Sequence, residues 1–77
     1  MGNKMSVISY AQAKQLVLAD LRKTMGEMPV AERSRPRYVI NMVPYSILDL
    51  IALAERDAPE IRDWVYDRIK YMGYILE

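Results

Sequence analysis

Apolar and polar positions along this 77-residue chain follow two different periods. Tyr10, Ala13, Val17, Leu21 and Met25 recur every three to four residues, which is one face of a helix. Ser9 stands three residues before Gln12, the spacing of a capping box in which each residue satisfies the other's free amide. Gly26 and then Pro29 are stop signals. The pattern therefore predicts a frayed tail over 1–8, a helix over 10–25 and a loop over 26–36. Over residues 37–43 the period drops to two. Arg37, Val39 and Asn41 fall on one side of an extended chain, and Tyr38, Ile40 and Met42 on the other. Pro36 and Pro44 bracket this run, which is rich in strand formers, as the ends of a strand.

The helical period then returns. Pro44 suits the first turn of a helix, and Ser46 with Asp49 offers a cap. Ile47, Leu48, Leu50, Ile51, Leu53 and Ala54 make a helix over 44–57 that is apolar round more than half its circumference. Asp57 is placed to cap a third helix over 59–72, with Pro59 in its first turn and Glu60 at the reciprocal position. Ile61, Trp64, Val65, Ile69 and Met72 form the stripe of that helix. Gly73 ends it, and the apolar Tyr74-Ile75-Leu76 is placed to fold back on its cap. The fold class is mainly α, in a single small domain: an N-terminal helix, then one short strand and two helices.

A lone strand leaves a row of backbone N–H and C=O groups without partners. The period-two pattern occurs once, so the expected partner is the same strand of a second copy, antiparallel across a two-fold axis. Size points the same way. A domain this short buries too little surface to be more than marginally stable, and oligomerisation is one of the few remedies. Disulfides are not among them, because there is no cysteine. Histidine is absent too, which removes the commonest general base and metal ligand. No Ser-Lys pair or glycine-rich phosphate loop replaces them, so no enzyme, cofactor or metal site is expected.

Strand, helix and helix in this order, shared as a dimer, resemble the Arc-like ribbon-helix-helix family of DNA-binding proteins. The resemblance spans residues 36–72. It rests on PRYVINM for the strand, ILDLI with LAE for the first helix, and VYDRI for the second. It implies a small homodimeric regulator of transcription whose two-stranded ribbon enters the major groove of DNA. By position, Arg37, Val39 and Asn41 would meet base edges, and Arg33 and Arg35 would reach phosphates. One departure is specific. The family docks the start of its second helix on the DNA backbone, and here that end carries Asp57, Glu60 and Asp63, which repel phosphate.

Net charge is only +1, but it is unevenly spread. Residues 1–43 hold seven Lys and Arg against three acids, and residues 44–77 hold four against seven. Such a division suits either an anionic partner or attraction between the two halves. Arg33, Arg35 and Arg37 also read as an ordinary solvated loop. Glu60, Asp63 and Asp67 share a helical face, as a salt-bridged surface does more often than a metal site. There are six tyrosines and no phenylalanine, a bias towards side chains with one wet end. The second expected function is therefore a mostly helical adaptor or inhibitor that binds a protein through Tyr66, Tyr71 and Asp67, without nucleic acid. No apolar run reaches the ~18 residues of a membrane span, so no membrane partner and a cytoplasmic location are expected.

Overall fold

A computed structural model describes residues 6–76, in the order β1 (Ser6–Ile8), α1 (Tyr10–Glu27), β2 (Tyr38–Ile40), β3 (Val43–Tyr45), α2 (Ile47–Glu55), α3 (Arg62–Tyr71) and β4 (Tyr74–Leu76). Single 3-10 turns at Val30–Glu32 and Pro59–Ile61 precede β2 and α3. The fold is mainly α. Its core is the junction of three helices: Ala13, Val17, Leu18 and Leu21 from α1, Ile47, Leu50, Leu53 and Ala54 from α2, and Ile61, Val65 and Ile69 around α3. Ile8 from β1 and Ile40 from β2 join it. Leu48 stays half exposed, because it lies on the side of α2 that neither neighbour covers.

Both capping boxes form. The Gln12 N–H donates to Ser9 Oγ at 3.2 Å and the Ser9 N–H to Gln12 Oε1 at 3.0 Å. The Asp49 N–H donates to Ser46 Oγ at 3.1 Å and the Ser46 N–H to Asp49 Oδ2 at 3.0 Å. The second box starts α2 at Ile47, three residues later than the Pro44 start. α1 runs through Gly26 and stops at Met28, whose backbone is extended (φ −85°, ψ 143°). Pro29 is the cause, since its ring disfavours helical backbone in the residue before it.

The single strand expected over 37–43 is two strands of a hairpin. β2 and β3 pair antiparallel, with Tyr38 opposite Tyr45, Val39 opposite Pro44 and Ile40 opposite Val43. Asn41 and Met42 make the turn between them, both with positive φ (51° and 67°). This is the two-residue turn whose twist matches that of the strands it joins. The strand thus finds its partner inside its own chain, and Pro44 lies in a strand rather than in a helix.

Two further expectations are corrected. Asp57 does not cap α3 but ends α2, in left-handed backbone at φ 56°. Its N–H donates to the Ala54 carbonyl at 3.2 Å and the Ala58 N–H to the Leu53 carbonyl at 2.9 Å, the paired bonds of a Schellman end. Aspartate tolerates that conformation better than most residues. At the far end of α3, Gly73 turns the chain at φ 96°, and Tyr74–Leu76 then runs as β4 beside β1, parallel, with Val7 opposite Ile75. Of the tail expected over 1–8, residues 6–8 are therefore strand, and 1–5 lie outside the described residues.

Ser46 is almost fully buried, so its cap cannot be replaced by water. Replacing it by alanine is expected to lower stability by about 1 kcal/mol, read as a shifted urea midpoint at unchanged slope.

Candidate interaction surfaces

Glu32, in the turn before β2, organises the basic stretch. Its carboxylate takes Arg35 Nε at 3.2 Å and also pairs with Arg37 Nη2. Arg33 turns back, its Nε donating to the Met28 carbonyl at 3.3 Å. Two guanidiniums thus share one carboxylate and the third binds a carbonyl, which leaves a local excess of two positive charges. The alternation expected from Arg37 onward holds as far as Ile40: Val39 is 71% exposed and Ile40 is buried. It then breaks at the turn. Asn41 sits at the hairpin tip in left-handed backbone and is not in line with Arg37 and Val39. Of the five residues expected to meet DNA, Arg33, Arg35 and Arg37 lie at the base of the hairpin, Val39 on its outer face and Asn41 at its end.

Next to Asn41 is a residue that sequence reasoning assigned to the wrong environment. Met42 was expected on the strand's inner face with Tyr38 and Ile40; it is 93% exposed. Val43, at 46%, and Pro44 are exposed beside it, so the hairpin ends in apolar side chains. The clue was available in the chain: an Asn at a turn position, followed by a second short apolar run up to Tyr45.

Part of the charge division between the two halves is used within the fold. Arg22 pairs with Glu55 at 2.8 Å and Lys14 with Asp57 at 3.9 Å, joining α1 to α2 and to the turn after it, while Asp20 pairs with Arg68 of α3 at 3.1 Å. Glu60 turns to Arg56 at 3.7 Å. Among the described residues no three acids come together where a metal ion would sit.

On α3 the three residues expected to bind a protein part company. Tyr66 is half buried, edge-on to Tyr10 with ring centroids 5.6 Å apart. Tyr71 is 84% exposed, and Asp67 is exposed. Trp64, Asp67, Arg68 and Tyr71 line an open cleft of about 360 Å³. No helix among the described residues is long and apolar enough to cross a membrane.

Tyr10 shows how tightly α1 and α3 meet. Its hydroxyl is buried with no hydrogen-bond partner among the described residues, while the Arg62 guanidinium lies over its ring at 4.7 Å. Burial, and next the Asp57 carboxylate, push the phenol above its usual range, with Arg62 opposing.

No family model matches the chain, and no curated protein or solved structure was found to match it.

A phenol held above its usual range contributes stability that is full below pH 10.0 and is lost as pH rises through its folded value. Tyr10→Phe removes both that titration and the unpaired hydroxyl. Its advantage over wild type in thermal melts should grow from pH 9 to pH 11; equal melting differences at the two pH values would contradict the assignment.

Proposed function

We propose that this chain is a protein-interaction module whose contact element is the β2–β3 hairpin. The observation that carries the reading is Met42. A residue other than glycine pays roughly 1–2 kcal/mol for left-handed backbone, and this turn type favours glycine. The turn at this position nevertheless holds a long apolar side chain, 93% exposed and touching little of the fold. Such a residue weakens the monomer and makes sense only through what it meets outside. Val39, Val43 and Pro44 widen the apolar end, and exposed apolar groups gathered in this way mark contact sites. The arginines at the base favour a partner with carboxylates around an apolar socket. Methionine suits such a socket, being flexible and polarisable.

The test separates folding from binding. Met42→Gly should raise stability by about 0.5–1 kcal/mol in urea unfolding, because it relieves the turn. The same variant should lose proteins that the wild type retains reproducibly from its native host. A variant that is no more stable and retains the same proteins would remove the reading.

A second reading is supported by the excess of positive charge around Glu32. It is the homodimeric regulator of the ribbon-helix-helix kind, in which β2 pairs across a two-fold with β2 of another copy. Each copy would contribute Arg33, Arg35 and Arg37 to one basic face, with Val39 and Asn41 toward the bases. The outer edge of β2 carries no strand among the described residues, whereas Pro44 removes a donor from β3. This reading expects a dimer by light scattering and binding to duplex DNA that weakens steeply between 50 and 200 mM salt. Arg35→Ala with Arg37→Ala would flatten that salt dependence. A monomer with no affinity for DNA at 50 mM salt would end it.

A further inference from the structure

We propose that the cleft on α3 between Trp64 and Tyr71 docks an arginine side chain from a basic segment of another protein, independently of the hairpin. The cleft already shows what it holds. The Arg68 guanidinium lies 6.0 Å from the Trp64 ring and 5.7 Å from the Tyr71 ring, the range in which an aromatic face attracts a cation. Arg68 does not face the carboxylate next to it, since consecutive helix positions point about 100° apart, and its Nη2 pairs instead with Asp20 on α1 at 3.1 Å. Asp67 lines the cleft and makes no ion pair among the described residues. Asp63, one turn earlier, is also unpaired and exposed.

The cleft therefore combines two aromatic faces with an unneutralised carboxylate, and Tyr71 keeps most of its surface open. A second guanidinium can stack on Tyr71 and take Asp67 in the same pose. Arginine fits better than lysine, since its planar group stacks and forks where an ammonium does neither. An anion is disfavoured by Asp67 and Asp63, and a nucleic acid strand with it. Lys70 stands three residues after Asp67 on the same helix face, yet it makes no ion pair with it among the described residues. The arginine comes from another protein rather than from a second copy, because every arginine of this chain already has an acceptor in its own fold, Arg35 and Arg37 sharing Glu32.

Trp64 is the single tryptophan of the chain, so its fluorescence reports on the cleft directly. The full chain would be titrated with acetyl-Ala-Arg-Ala-Arg-Ala-amide and with the same peptide carrying Lys or Glu in place of Arg. The Arg peptide should give a saturable change, the Lys peptide a weaker one and the Glu peptide none. Asp67→Asn should weaken binding of the Arg peptide about tenfold, the scale of one charge-assisted bond. Asp20→Asn never touches the peptide, yet it should weaken binding too, because it leaves the Arg68 charge at the cleft without its carboxylate. Amide spectra would establish that each variant is folded; should Asp20→Asn unfold, Asp67→Asn decides alone. No saturation by about 10 mM peptide, an equal response to the Glu peptide, or an unaffected Asp67→Asn would each overturn the proposal. A peptide-free fluorescence change that depends on protein concentration and vanishes in Asp67→Asn would assign the cleft to a second copy, which overturns it as well.

Discussion

Two residues in left-handed backbone, Asn41 and Met42, decide how this chain completes its β structure. Because the turn closes after two residues, β3 returns along β2, and one edge of that strand is paired without a second molecule. The same turn aims Ile40 into the core and sends Met42 into solvent. It also sets where α2 begins. The chain needs Val43–Tyr45 to pair with β2, so the helix waits for Ser46 and its capping box. Burial of one end of the core, the start of the central helix and the exposure of the apolar tip all follow from one local conformation.

α1 is the element that the rest packs against. Its buried stripe meets α2 and α3, and its polar flank supplies Lys14, Asp20 and Arg22 to carboxylates and a guanidinium on those helices. These pairs are partly exposed, so each adds little to stability. Their larger effect is on what they leave behind. Asp20 takes up the Arg68 charge at the cleft where Asp67 makes no ion pair among the described residues; Glu32, shared by Arg35 and Arg37, leaves the base of the hairpin positive. The chain is nearly neutral overall, yet it presents one basic and one acidic patch, and the proposed functions rest on these remainders rather than on net charge.

The helices were legible because their signals are local. Ser9 with Gln12 and Ser46 with Asp49 announce two starts within four residues each, and the apolar stripes of α1 and α3 repeat for several turns. What was missed needed either geometry or distance. Asn-Met lacks the glycine that usually marks a two-residue turn, so the hairpin was read as one strand. Asp57 suits a helix start and a left-handed helix end equally well, and only the bonds from Asp57 and Ala58 back to α2 separate the two. β1 and β4 are three residues each and pair from far apart in the chain, which no periodic pattern can reveal. The basic residues of the candidate site were found, but the residue with the most to explain, Met42, was placed on the buried face. Trp64 was placed in the apolar stripe of the third helix, and it also lines a cleft with Asp67, Arg68 and Tyr71.

The claim on which the account turns is that the hairpin closes within one chain around a left-handed Met42. Isotope-filtered NMR on a mixture of labelled and unlabelled protein tests it directly. The account predicts that close contacts between Ile40 and Val43, and between Tyr38 and Tyr45, arise within one molecule, with a strong Met42 amide-to-Hα contact typical of positive φ. Contacts of β2 that appear only between labelled and unlabelled molecules, with Met42 extended, would contradict it.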